Sequence, residues 1–395
     1  MKTAGIIYFS SVYEKTGAGK VVKSFLDEKD TFLENGIGRI EIYTPYGASD
    51  SETVKTKSTD SKSVKAAIKA RVKKVLNSNY WGSCINIDHT IFQNGKKAVE
   101  DYFRRSKKDE DMLIFHELGS CFEYIKYCKK NRIKRKPYIL IEHTNGFPWK
   151  MTEIYYPNIV GTKYREKLER RSDLCEKLAK YIVFVSDVSR ANGIMRKPEY
   201  EKKMYSIPNG IRSLSGDFKE RSYETIRLVT VGTVCSRKNQ IALVDCIARI
   251  KDPNITLTVI GAGNALDDCK NRASSLGAED QVFFLGEQDN IPFYLDQANV
   301  FIMASLDEGL PIAAIEALRS GMPLILTDVG GCKELIDHNG LLVNPEVEEL
   351  CEAIKHIRDN KEEAAEMARH SYELFINKYS VGSMMAKYSE LIKRG

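Results

Sequence analysis

The chain has 395 residues, 43% hydrophobic and 29% charged, with a mean hydropathy of −0.35. That composition is globular, the length exceeds one ordinary core, and no apolar run approaches the roughly 18–20 residues of a membrane span. The net charge of +6 divides into +14 over residues 1–210 and −8 over residues 211–395, which turns the first half toward an anionic surface or acceptor.

The opening MKTAGIIYFSSVYEK has an apolar run too short for a signal peptide and reads as a first strand at Ala4–Phe9. Further strands are expected at Arg39–Thr44, Met112–Phe115, Tyr138–Ile141 and Tyr181–Val185. Helical patterns lie between them at Ala18–Leu33, Ser63–Leu76 and Thr162–Lys180. Ile207-Pro208-Asn209-Gly210 is a turn that marks a domain boundary, and the polar, aperiodic Ser213–Tyr223 reads as a linker. Strands then recur at Arg227–Val231, Thr256–Ile260, Val282–Leu285, Val300–Met303 and Pro323–Thr327. Helices are expected at Asn239–Arg249, Leu266–Leu276, Ile312–Arg319 and from Val347 to the end. The alternation predicts an α/β chain of two doubly wound parallel-sheet, Rossmann-like domains, residues 1–210 and 211–378, facing across a cleft. The last helix, about residues 379–395, is expected to pack back on the first domain. Nine cysteines, an odd number with no Cys-x-x-Cys pair, argue for reduced thiols in a cytosolic protein and against a zinc site.

The chemistry concentrates in Ser305–Glu316, SLDEGLPIAAIE, where Glu308 and Glu316 stand eight residues apart. Gly309-Leu310-Pro311 is a stop, and a helix from Ile312 would carry Glu316 about two turns on. Unpaired N–H groups at that turn, between two acceptors roughly 10 Å apart, suit a ligand with hydroxyls at both ends. An amphipathic surface helix gives the same pattern. Upstream, Arg237 and Lys238 follow a strand and open a helix, where they could neutralise a diphosphate or stand solvated. Gly17 and Gly19 in TGAGK suit a ligand loop or a plain strand–helix turn; the Walker pattern is absent, since Glu14 and Val21 replace its glycine and hydroxyl. Gly261 and Gly263 repeat the strand-then-glycine pattern. His116 and His143 each end a strand of the first half, on the ligand side of a parallel sheet. Asp109-Glu110-Asp111 reads as a solvated loop, not a metal site.

In this order the motifs VGTVCSRKNQ, VIGAGN, FLGEQDN…SLDEGLPIAAIEALRSGMPLILTDVGG and NGLLV, after FVSDVSR and SIPNGI, resemble the retaining glycosyltransferases of family 4, which have the GT-B fold. The resemblance is strongest from Val229 to Gly340. It implies that Glu308 contacts the donor sugar and Glu316 the ribose hydroxyls of an E-x7-E motif. It implies that Lys238 grips the diphosphate and supports the leaving group, and that Leu310, Pro311 and Ile312 line the sugar and phosphates, Pro311 without an N–H. His116 resembles the histidine that meets the donor sugar from the other domain, and Gly17 and Gly19 the glycine loop beneath the phosphates. Thr233 stands where the family often has arginine, which leaves Arg237 as the candidate second cation. The implied reaction moves a hexosyl unit from a nucleotide sugar, UDP-sugar by family usage, to a glycan or lipid-linked acceptor. It calls for no cofactor and no metal, and nucleic acid is not an expected partner. A sugar-nucleotide epimerase or hydrolase, or a non-catalytic partner subunit, would share the fold.

Lys62–Leu76 pairs an apolar stripe with Lys65, Lys69 and Lys73, and KKNRIKRK at 129–136 is a second basic run. With the +14 half, this predicts a cytoplasmic protein that is peripheral on an anionic inner membrane face; an ordinary surface helix is the alternative.

Overall fold

The computed structural model describes residues 1–13, 17–46, 79–214 and 218–395. The chain forms two compact units, one of Met1–Ile207 with Met384–Gly395 and one of Pro208–Ser383.

In the first unit, β1 (Lys2–Ile7), β2 (Ile37–Tyr43), β3 (Met112–Phe115), β4 (Tyr138–Glu142), β5 (Tyr181–Phe184) and β6 (Met204–Ser206) form a parallel sheet in the order β2-β1-β3-β4-β5-β6. A parallel sheet covered on both faces needs strands that are apolar throughout, and β3 and β4 are buried at every position. Phe115, Tyr124, Leu140, Cys175 and Ile182 belong to one core that joins sheet and helices. The strand order reverses between β1 and β3, so side chains leaving the carboxyl ends of those two strands border a crevice. The terminal helix Val381–Arg394 packs on the first helix of this unit: the Tyr388 ring lies 5.1 Å from Phe25.

In the second unit, β7 (Ile226–Val231), β8 (Ile255–Ile260), β9 (Val282–Gly286), β10 (Val300–Met303), β11 (Leu324–Thr327) and β12 (Gly340–Val343) are parallel in the order β12-β11-β10-β7-β8-β9. This is the doubly wound order, with its switch point between β7 and β10. Arg221, within the expected linker, donates to the carbonyls of Leu295, Asp296, Ala298 and Ser320, and Tyr223 is buried. That stretch is therefore packed onto the unit although it lacks a helix or strand. The incoming and outgoing segments lie side by side, with Ile211 N donating to Tyr379 O and Val381 N to Ile211 O.

Several expectations change. The pattern Ala18–Leu33 breaks at Glu28 into helices Gly17–Asp27 and Lys29–Glu34. The helical stretch from Val347 onward is Val347–Asp359, Lys361–Lys378 and Val381–Arg394: the break before the last helix falls where it is expected, and the one at Asn360, which leaves helical geometry (φ −124°, ψ 67°), is not expected. β6 and β12 were not expected; they have three and four residues, too few to show a period. Helices at Tyr80–Ile87, Asn94–Arg105 and Leu118–Asn131 were not expected either. Asp109–Asp111 is not a solvated loop: Glu110 is buried and accepts from Tyr43 Oη (3.0 Å), Tyr102 Oη (3.2 Å) and Ser106 Oγ (2.5 Å). Asp109 pairs with Arg39 and Asp111 accepts from Thr3 N at 2.9 Å, so all three carboxylates are structural. The basic pattern Ser63–Leu76, with Lys65, Lys69 and Lys73, lies outside the described residues.

Candidate functional site

In the second unit the expected residues gather at the switch point. The chain leaves β7 through Gly232 (φ 149°), where only glycine sits without strain, and turns through Asn239 in the left-handed region before helix Gln240–Ile250. Leu306 N donates to Arg237 O at 2.8 Å, which fixes this turn against the segment after β10. Glu308 lies on that segment, 8% exposed. Its Oε1 is 2.6 Å from Lys238 Nζ and 2.9 Å from Arg237 Nη1, and Arg237 Nη1 also donates to Asp307 O at 2.6 Å. Burial alone would lift the Glu308 carboxyl, but Lys238 and then Arg237 outweigh it and hold the group below its ordinary value. The trio is thus two cations sharing one carboxylate at the carboxyl edge of the sheet.

Helix Ile312–Arg319 starts after Pro311 (φ −73°), which occupies its cap position, and Glu316 falls in the second turn, 8% exposed. Leu310 and Ile312 are buried beside it. Two contacts that the sequence does not reveal hold the Gly309–Pro311 turn: Gly331 N donates to Gly309 O at 2.9 Å, and buried Asn209 Nδ2 to Leu310 O at 3.3 Å. The sequence shows Asn209 as a turn residue within SIPNGI and gives no sign of this contact. Gly263 works by close approach, since a Cβ there would stand 2.0 Å from Val234 O. It seats the loop after β8 against the loop after β7 at Val234.

In the first unit, His116 and His143 leave the adjacent strands β3 and β4 and meet, Nδ1 of His116 lying 3.1 Å from Nε2 of His143 with the rings inclined by 15°. Burial, reinforced by His143, holds His116 well below its ordinary value, and burial pushes His143 down to about 4. Both rings are therefore neutral at neutral pH. Gly17 is exposed and Gly19 buried in the first turn of helix Gly17–Asp27, at the carboxyl end of β1; residues 14–16 before them lie outside the described residues. Sequence reasoning passed over two acids here. Glu117 caps helix Leu118–Asn131 by accepting from Ser120 N at 2.9 Å, and burial pushes its carboxyl up to about 8. Glu142, at the end of β4, is also lifted to about 8, by burial and by Glu176, while Arg196 opposes the shift. Arg196 is committed to Glu176 through bonds of 3.0 and 2.6 Å. An acid that closes the apolar run YILIE carries no local signal that it is buried.

Residues 217–374 match the family model described as Glycosyl transferases group 1. The O-antigen biosynthesis glycosyltransferase WbnH of Escherichia coli is 31% identical over 182 residues, 46% of this chain and 51% of that protein. The Escherichia coli UDP-Gal:alpha-D-GlcNAc-diphosphoundecaprenol alpha-1,3-galactosyltransferase is 26% identical over 178 residues, 40% of this chain and 46% of that protein. The chain spans about half the length of the curated relatives it matches. Among solved structures, the Anabaena protein HepE in complex with UDP-glucose aligns over 100% of both chains with a TM-score of 0.68 at 16% identity. Sucrose-phosphate synthase from Thermosynechococcus elongatus aligns over 100% of this chain and 98% of its own, with a TM-score of 0.69 at 16% identity. The chain therefore has the GT-B fold, and its segment 217–374 is similar to the group 1 glycosyl transferases.

Proposed function

We propose that the protein is a retaining glycosyltransferase that moves a hexosyl unit from a nucleotide sugar, a UDP-sugar in the first instance, to a glycan or lipid-linked acceptor in surface polysaccharide or glycolipid synthesis. The observation that carries the reading is the Glu308–Lys238–Arg237 trio at the switch point of the second sheet. Two cations at the carboxyl edge of β7 suit a diphosphate, and their positive charge is where a leaving diphosphate gathers negative charge, so the reading calls for no metal. Glu308 then faces the sugar, Glu316 takes the ribose hydroxyls, and Leu310, Pro311, Ile312 and Gly263 shape the pocket floor. In the first unit, His116, Gly17 and Gly19 lie at the carboxyl edge of their own sheet, where the same reading gives them ligand roles. The similarity to WbnH and to the diphosphoundecaprenol galactosyltransferase supports a polysaccharide acceptor on a lipid carrier, and the UDP complexes of HepE support the donor.

The reading places the protein in the cytoplasm against the inner membrane face. No helix among the described residues is long and apolar enough to cross a membrane. Lys129, Lys130, Arg132, Lys134 and Arg135 are exposed, and Lys65, Lys69 and Lys73 would add to that charge. Vesicle flotation at low salt should recover more protein with anionic than with neutral lipid, and equal recovery would remove the membrane from the reading.

The decisive experiment is a nucleotide-sugar panel followed by thermal denaturation, because a ligand at 100 times its Kd stabilises by about 2.7 kcal/mol. One UDP-sugar should raise the melting temperature and then yield a product of unchanged anomeric configuration with chelator present. No stabilisation by any nucleotide sugar would overturn the reading. Free sugar as the main product would make the protein a hydrolase.

A further inference from the structure

We propose that Cys246 and Cys351 form a peroxide-responsive dithiol within the second unit, which oxidation converts to a reversible disulfide between helix Gln240–Ile250 and helix Val347–Asp359.

The nine thiols of the chain are free and buried. Two of them meet across a helix pair: Sγ of Cys246 lies 2.8 Å from Sγ of Cys351, 105 residues further along the chain. An S–S bond is about 2.05 Å long, so the sulfurs have about 0.8 Å to close. Each sulfur also lies against the backbone of the other helix. Cys246 Sγ is 3.4 Å from Val347 O, and Cys351 Sγ is 3.8 Å from Cys246 O. The side chains therefore reach toward each other where the helices are close, and bond formation asks for little movement. Leu243, Ile247, Leu350 and Ile354 belong to the same buried core and hold the two helices together.

The surroundings divide the pair into attacker and resolver. The thiolate is the reactive form of cysteine. The hydrogen bond with Cys246 holds the Cys351 thiol below its ordinary value against burial, and Arg249 and Lys355 add to the effect while Glu348 opposes it. The same contact, with burial, pushes Cys246 up, so Cys246 keeps its proton and donates it. Cys175 and Cys121 in the first unit are the contrasting case: burial and then Cys121 push the Cys175 thiol up, and it stays protonated. Access selects the oxidant. Glu348, Glu352, Ala353 and Lys355, which neighbour Cys351 on its helix, line an open groove, but Cys351 itself is 3% exposed and Cys246 is fully buried. That suits hydrogen peroxide and not a bulky disulfide.

The steps balance. The Cys351 sulfur attacks one peroxide oxygen and the O–O bond breaks, which leaves a sulfenic acid and a hydroxide that recovers the Cys351 proton as water. The Cys246 sulfur then attacks the Cys351 sulfur, the S–O bond breaks, and the hydroxyl leaves with the Cys246 proton as a second water. Two thiols and one peroxide become one disulfide and two waters. The bond closes a loop that contains Glu308 and Glu316, and closing so long a loop restrains the unfolded chain, so the oxidised second unit is the more stable form.

The test uses the reduced full-length protein, treated with one equivalent of hydrogen peroxide, alkylated under denaturing conditions, digested and mapped without reductant. The expected map joins the Cys246 and Cys351 peptides with the loss of two hydrogens, leaves the remaining cysteines alkylated, and shows the link undone by dithiothreitol. The linked protein should melt higher than the reduced protein. In Cys246→Ser, dimedone should trap Cys351 as a sulfenic acid, and in Cys351→Ser, Cys246 should remain an alkylatable thiol. Both cysteines still alkylated after peroxide, or linked to other cysteines, overturn the proposal, as does a linked form that melts lower. The reverse trapping pattern overturns the role of Cys351 as attacker. If a serine variant does not fold, the wild-type map and melting curves decide. None of these readouts needs a sugar nucleotide, so the result stands apart from whether the protein transfers a sugar.

Discussion

Glu308 holds Lys238 and Arg237 at once, so removing it does two different things. In Glu308→Ala both cations lose their shared counterion in a buried site, and breaking a buried pair in this way costs about 3–5 kcal/mol. Loss of activity in that variant would mix chemistry with unfolding. Glu308→Gln keeps the shape and one acceptor, and Lys238→Ala removes the cation nearest the carboxylate. We expect each to lower turnover by about 10²–10³-fold in a donor-matched assay, with the fold intact by circular dichroism. Near-normal turnover would remove the residue from the machinery. Glu110 makes the opposite case, an acid whose work is wholly structural. In Glu110→Ala the hydroxyls of Tyr43, Tyr102 and Ser106 lose their common acceptor, and chemical denaturation should show a loss on the order of 2–4 kcal/mol. Its sequence neighbours misled because Asp109-Glu110-Asp111 is a charge run, and nothing local shows three hydroxyls converging on its middle residue from elsewhere in the chain. The raised acids set a pH dependence. Glu117 and Glu142 hold their protons up to about 8 in the folded state, whereas an unfolded glutamate ionises near 4.3. Their contribution is fully present below about 4.3 and is lost as pH rises through about 8. The depressed histidines act in the other direction only below their unfolded value near 6.5. Between pH ~6.5 and ~8 the acids act alone, so the melting temperature should fall across that window. Glu142→Gln should flatten the fall, and an unchanged slope would show that Glu142 is ionised throughout.

The elements that could be read from sequence are those whose burial is complete and local. Val300–Met303 and Leu324–Thr327 are buried at every position, and apolar but for the closing Thr327, because helices cover both faces of their sheet, and helix Ile312–Arg319 follows a proline that stops the chain. The elements that could not be read depend on distant partners. Edge strands β6 and β12 exist because β5 and β11 offer them hydrogen bonds. The loops at the switch point depend on one another in the same way. Gly261 and Gly263 bring the segment after β8 within touching distance of Gly232 and Val234, a reason invisible in VIGAGN itself. Gly263→Ala places a methyl 2.0 Å from Val234 O, so the turn carrying Lys238 must shift. We expect a lower melting temperature together with a raised donor KM. A change in stability with unaltered KM would separate the two loops.

At the scale of the whole molecule, the alternation of strands and helices was enough to predict two α/β domains, each with a parallel sheet, since each period announces its own element. The candidate site was legible as a set of residue types at strand ends, because a doubly wound sheet sends every such residue to one edge. The pairing of those residues was not. Nothing in the sequence says that Arg237 meets Glu308, that His116 meets His143, or that the thiols of Cys246 and Cys351 lie 2.8 Å apart. Each is a contact between elements far apart in the chain, and such contacts are products of the fold.

The terminal helix carries Tyr388 against Phe25, and the Phe25 ring in turn lies perpendicular to that of His116, 5.3 Å away. The first unit therefore includes a segment, Met384–Gly395, that is synthesised after the whole of the second unit. A ribosome working at about 5–20 residues per second needs about 10–40 s to pass from Pro208 to Gly395. Through that interval the first unit waits without the helix that backs Phe25. The second unit, Pro208–Ser383, is continuous and can close before the first is complete. Birth order and folding order are thus inverted. A chain stopped after Ser383 should show a protease-resistant second unit beside a first unit that is readily cut, and release of the last twelve residues should reverse the second outcome alone.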